Sequence, residues 1–142
     1  MATSITVLAD KVKKKTDWQR TPTPLYEDDY IGMVIYGIER MYIDTARASA
    51  YDTSFIYVDD ETGDVMFTQD IPIDEQAYVL ICAQIQFFQQ VAADVNNIVG
   101  YTTDALTVTN ADKPYANIKD TIATLENERR ITYYKMARFT ML

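Results

Sequence analysis

No histidine occurs anywhere in the 142-residue chain. That absence removes the commonest general base, the usual metal ligand, and every Ser-His-Asp or Cys-His arrangement. Cysteine occurs once, as Cys82. A single thiol makes no internal disulfide, C-x-x-C pair or zinc cage, so the chain suits a reducing compartment. The four glycines, at positions 32, 37, 63 and 100, supply neither a phosphate-cradling loop nor a dinucleotide fingerprint. No apolar run approaches membrane-spanning length, and the N-terminus lacks the basic-then-apolar pattern of a signal peptide. These absences point to a binding or structural protein made in the cytoplasm, with no enzyme activity, metal, cofactor or membrane association expected.

What is present argues for a folded, interface-bearing chain. Hydrophobic residues make up 48% of the sequence, including eleven tyrosines, which excludes a disordered chain. Tyrosine buries an apolar ring while keeping a polar tip, so it serves surfaces that are sometimes wet and sometimes covered. A tyrosine-rich core edge is the alternative. The net charge of −8 repels phosphate and argues against non-specific nucleic-acid binding as the main activity. Lys11, Lys13, Lys14 and Lys15 run against that balance. They read as a solvated helix end, or as an arm that touches nucleic acid or an acidic partner.

Along the chain, Ile5, Leu8 and Val12 space a short helix over residues 4–15. The Thr-Pro-Thr-Pro run at 21–24 forms an extended linker, because each proline pushes its predecessor out of the helical region. Residues 1–24 are therefore expected to form a helical arm and linker, and residues 25–142 one helical domain. Glu27, Asp28 and Asp29 mark a helix N-terminus. The helix they open is expected to run to about residue 49, with an apolar stripe at Ile31, Ile35, Ile38, Tyr42 and Thr45, widened by Val34 and Met41. Gly32 and Gly37 within it each cost about 1 kcal/mol relative to alanine, and suggest either close approach by another backbone or a fraying helix. Two β-prone runs, 55–58 and 65–67, flank Asp59, Asp60, Glu61, Thr62, Gly63 and Asp64 and read as a hairpin. The acidic turn lacks calcium-loop spacing, so solvated carboxylates explain it better than a metal site.

The longest helix is expected over residues 74–99. Tyr78, Ile81, Ile85, Phe88, Ala92, Val95 and Val99 form an unbroken heptad-like seam. Ala77, Leu80, Phe87 and Val91 lie off it, so this helix is expected to be covered on more than one side. Cys82 reads as a small packed residue, with no histidine to activate it. After Gly100, residues 101–110 are rich in β-branched residues and read as an extended segment or loop. A last helix begins near Asp112, with Tyr115, Ile118, Ile122 and Leu125 as its stripe. The charged stretch at 126–130 interrupts it. Ile131, Tyr134 and Met136 follow, with Ile131 nearly opposite Ile118 at about 100° per residue. Either one helix serves two neighbours, or it kinks near Asn127.

The fold expected is mainly α, a helical bundle with a small β-hairpin and extended loops. Its candidate core comprises Ile35, Ile38, Tyr78, Ile81, Ile85, Phe88, Val95, Ile118, Ile122 and Leu125. Its candidate interface comprises Ile131, Tyr134, Met136, Tyr101, Leu106 and Val108.

Several stretches carry a resemblance: Tyr30-Ile31-Gly32, the glutamine-bearing helix, G-Y-T-T-D-A-L-T-V-T-N-A-D-K-P-Y at 100–115, and L-E-N-E-R-R at 125–130. From about Glu27 to the C-terminus the chain resembles the head–tail connector (adaptor, head-completion) proteins of long-tailed bacteriophages. The resemblance implies a subunit that assembles with itself into a ring, commonly a dodecamer, in the virion neck. Such a ring would contact the portal protein and a neck or tail-completion protein, and DNA would pass through its channel without specific binding. A cytoplasmic interaction module, or a small regulator dimerising through the Tyr78–Val99 seam, is the alternative.

Overall fold

The structure is a computed structural model that describes the backbone of residues 2–19, 21, 24–102 and 112–140, with side chains described as far as residue 93 and again over 117–136. Among the described residues it is mainly helical, with four α-helices and one small antiparallel sheet.

The chain starts with a two-residue strand, β1 (Thr3–Ser4), and turns directly into helix α1 (Ile5–Thr16). Ser4 caps that helix, its hydroxyl accepting from the Val7 N–H at 3.2 Å, which satisfies one of the donors a helix start leaves unpaired. The lysines at the other end, Lys13, Lys14 and Lys15, occupy the last turn, where the helix dipole favours positive charge. That placement accounts for the basic cluster without a ligand.

The expected division at residue 24 does not coincide with a break in packing. Ile5, Leu8, Ala9 and Val12 are all buried in the same core as the later helices. The N-terminal segment is therefore a core element rather than an arm. Its apolar stripe is long enough to be buried against the later helices. Trp18, just past the helix, lays its ring 5.5 Å from that of Phe88.

Helix α2 (Glu27–Asp44) carries its three acidic residues in the first turn, and the Asp29 carboxylate accepts from the Tyr26 N–H at 2.8 Å. Its buried face is Tyr30, Met33, Val34, Gly37, Ile38, Met41 and Tyr42. The stripe is thus turned by about one residue from the expected one. Ile31 and Ile35 are only partly buried at its margin, and the helix ends before Thr45. The turned face brings Gly37 to its centre, against helix α3 (Ile73–Thr102). A Cβ built on Gly37 would lie 2.6 Å from the Val79 carbonyl oxygen. Glycine there permits the close approach of two backbones. Gly32 is different: a Cβ at that position meets nothing within 4 Å.

Strands β2 (Ile56–Val58) and β3 (Val65–Phe67) form the expected hairpin, with Val58 opposite Val65 and Ile56 opposite Phe67. β1 adds a third strand on the other edge of β3, pairing Thr3 with Phe67. Thr3 ties this edge down: its buried hydroxyl donates to the Gln69 carbonyl at 3.0 Å and accepts from the Ile71 N–H at 2.8 Å. Two residues are too short to show a period, so the sequence carries no strand signal there. Phe67 joins sheet to helices, fully buried among the rings of Tyr42, Tyr51 and Phe55.

α3 is the central helix. It packs against α2, α1 and the last helix, α4 (Asp112–Thr140). Tyr78, Ile85 and Phe88 are buried and Ile81 is partly buried. The side chains of Val95 and Val99 lie outside the described residues. α3 runs two residues past Gly100, so the backbone of Tyr101 is helical rather than extended.

α4 is continuous through Asn127. Ile118 and Leu125 are buried and Ile122 is partly buried. The stripe does not rotate at the charged stretch. It continues through the half-buried Arg129 and Thr132 to Met136, which is only 8% exposed. Ile118 and Met136 are eighteen residues apart, a whole number of helical turns at 3.6 residues each, which puts them on one side. Met136 is therefore a core residue of the subunit, and the expectation that it lies at an interface is corrected.

Candidate assembly surface

The remaining α4 candidates lie on the outer side. Ile131 is 43% exposed and Tyr134 64% exposed. Tyr133 accompanies them, its ring 5.9 Å from that of Tyr134 in an edge-on arrangement. The period that turns Met136 inward turns Ile131 and Tyr134 outward, about 140° and 160° from it, and leaves Tyr133 on the groove side. An aliphatic and an aromatic side chain, three residues apart, thus stand together on a helix already fixed to the subunit by its opposite face. Tyr101, Leu106 and Val108, the other interface candidates, lie outside the described residues as to their side chains, the latter two entirely.

Beside this face a groove of about 690 Å³ opens between the end of α2, the start of α3 and the second half of α4. Arg40 and Asp44 line it from α2, Tyr78 from α3, and Glu126, Arg129 and Arg130 from α4. Asp44 is its organising acid. The Tyr78 hydroxyl donates a hydrogen bond to the Asp44 carboxylate, and Arg40 Nε stands 3.2 Å from it. That is an ion-pair distance, yet the Nε–H is not aligned for a hydrogen bond and is buried without another acceptor. Burial first, and then the Asp44 hydrogen bond, hold the Tyr78 phenol above its ordinary ionisation range. It is therefore a neutral donor at physiological pH.

The Arg129 charge and a hydrogen bond from it favour the Cys82 thiolate. Burial outweighs it, and the Cys82 thiol is pushed up to about 12. A group so placed is a packed hydrophobe rather than a nucleophile. It also makes stability depend on alkaline pH. The fold favours the protonated thiol, so its contribution is complete below the ordinary value of 9.0 and is lost as pH rises towards the folded value. Urea unfolding between pH 8 and pH 11 is expected to show a steeper loss of stability in the wild type than in Cys82→Ala. Parallel slopes would show that the thiol is not held protonated by the fold.

Arg129 and Arg130 carry no site signal in the sequence, because the charged stretch reads as an interruption of the apolar stripe. Counting the helical period through it, instead of stopping at it, places Arg129 on the inner edge of the groove. Arg130 is exposed and donates to the Asn127 side chain at 2.9 Å. Among the described residues neither arginine forms an ion pair with a carboxylate, the two ion pairs being Arg40–Asp44 and Arg47–Glu75.

No group of three or more acidic or cysteine side chains converges to hold a metal among the described residues, and no described helix is long and apolar enough to cross a membrane. The surface can bind through packing, aromatic contact and charge. No family model matches the sequence, and no curated protein or solved structure is significantly similar to it.

Proposed function

We propose that this chain is a structural subunit of a bacteriophage neck, assembling with copies of itself into a ring that joins the portal to the next neck or tail component. The observation that carries this reading is the outward face of α4. Ile131 and Tyr134 stand exposed together on a helix whose other face belongs to the core. Grouped exposed apolar side chains mark contact surfaces on soluble proteins. The resemblance to head–tail connectors in the stretches at 100–115 and 125–130 supplies the type of assembly. A ring is made by heterologous contacts, in which one patch of each subunit meets a different patch of the next. The chain's net charge of −8 suits a channel wall that lets DNA pass without gripping it.

A small dimeric regulator joined through the Tyr78–Val99 seam has less support. Tyr78, Ile85 and Phe88 are already buried within one subunit, which leaves that part of the seam no surface to offer.

Replacing Ile131 and Tyr134 together by serine is expected to leave helix content and melting nearly unchanged while weakening self-assembly. Each anchor lost from a contact centre costs about 2 kcal/mol per interface, and a ring repeats the loss at every contact. Sedimentation velocity with far-UV circular dichroism reads both effects. A variant that assembles as the wild type does would remove this face from the contact, and one that unfolds would place it in the core.

A further inference from the structure

The charge distribution assigns the groove an occupant. Within it three arginines, Arg40, Arg129 and Arg130, face two carboxylates, Asp44 and Glu126. The groove is thus locally positive in a chain of net charge −8. Arg40 is engaged with Asp44. Arg129 and Arg130 have no carboxylate partner among the described residues, and Tyr134 stands at the rim with most of its surface exposed.

The complementary feature is in the same chain. The turn between β2 and β3 carries Asp59, Asp60, Glu61 and Asp64 within six residues, and none of them forms an ion pair with a described residue. The turn is held in one shape. The Asp59 N–H donates to the Asp64 carbonyl at 2.9 Å, the Gly63 N–H donates to the Asp59 carbonyl at 2.7 Å, and Gly63 takes the positive φ of 74° that glycine accommodates. A concentrated negative charge on a rigid tip loses little freedom on docking.

The two features belong to different parts of the fold. The groove is walled by α2, α3 and α4, and no residue of the hairpin lines it. Knob and socket in separate places on one chain are what a head-to-tail contact needs. They cannot build a self-complementary twofold contact without being brought side by side.

We propose that the acidic turn at residues 59–64 of one copy seats in the groove lined by Arg129, Arg130 and Tyr134 of the next, and that this pairing sets the direction and register of assembly. The proposal rests on the self-assembling reading above and names its polar contact. The exposed apolar face of α4 supplies area beside it, and the charge pair supplies orientation, since opposite charges align an encounter and like charges forbid the wrong one.

Charge reversal tests the pairing with three variants of the full chain: Arg130→Glu, Asp60→Lys with Glu61→Lys, and all three substitutions together. The altered residues are exposed, and circular dichroism confirms that each variant folds. Sedimentation across a concentration series is expected to show self-association weakened about tenfold or more by either reversal alone. The triple variant, with a reversed knob facing a reversed socket, recovers most of the loss. If both single reversals associate as the wild type does, the contact is overturned and the ring reading stands. If both weaken association and the triple variant recovers nothing, the pairing is overturned, and turn and groove each meet some other part of the neighbouring copy. A wild type that stays monomeric at every concentration and at low salt overturns the contact and the ring reading together.

Discussion

Truncating Phe67 to alanine is expected to destabilise the subunit by about 3–5 kcal/mol, the range for removing a buried phenylalanine. Phe67 is 0% exposed. Its ring lies 5.9 Å from Phe55, 6.2 Å from Tyr42 and 6.4 Å from Tyr51, so the side chain is the common neighbour of the sheet, the end of α2 and the segment between them. The residue is also fixed by its backbone, between β1 at Thr3 and β2 at Ile56, which limits collapse around the vacated space. Aromatic pairs add about 0.5–1.5 kcal/mol beyond the area they bury, and three pairs are lost at once. Urea unfolding should show a lower midpoint with an unchanged slope. A loss below about 1 kcal/mol would mean that the sheet is an appendage and not part of the cooperative core.

The second large effect concerns the α2–α3 contact. Gly37→Val is expected to destabilise by about 2–3 kcal/mol, the upper part of the overpacking range. Its Cβ would stand 2.6 Å from the Val79 carbonyl oxygen and 3.2 Å from Val79 Cγ1. The nearer atom is backbone in the middle of a helix, so relief requires the two helices to separate. Gly32→Ala is the matched control in the same helix. It meets open space, and exchanging glycine for alanine in a helix interior is worth about 1 kcal/mol in its favour. Opposite signs at two glycines five residues apart would show that close approach, not helix propensity, dictates residue 37. Destabilisation at both positions would contradict the placement of α2.

Much of this architecture is legible in the sequence because helices declare themselves by period. α3 is the clearest case: apolar residues on and off its seam foretell a helix covered on several sides, and it is the central one. The misreadings have local physical causes. On α2, apolar residues occupy almost every direction, and the centre of the buried face is set by where a backbone can approach. Gly37 decides that, and a hydrophobic stripe passes over a residue without a side chain. On α4, the two half-buried polar residues Arg129 and Thr132 continue the inner face, so an apolar count loses the stripe there. Met136 then looks like a companion of Ile131 when it is an extension of Ile118. β1 is too short to carry any pattern, and its place is set by the hydroxyl of Thr3 reaching the loop before α3. The groove was invisible for a further reason. Its side chains come from three helices, and only their packing brings Arg40, Tyr78 and Arg130 to one place.

The proposed role puts the chain in an assembled particle. It is tested most directly by imaging phage particles purified from the host that carries this sequence, with the chain labelled at its N-terminus. The account predicts label confined to the head–tail junction, in a ring on the particle axis with a fixed copy number. Particles that lack the chain, or carry it on the capsid surface or the tail fibres, would contradict it.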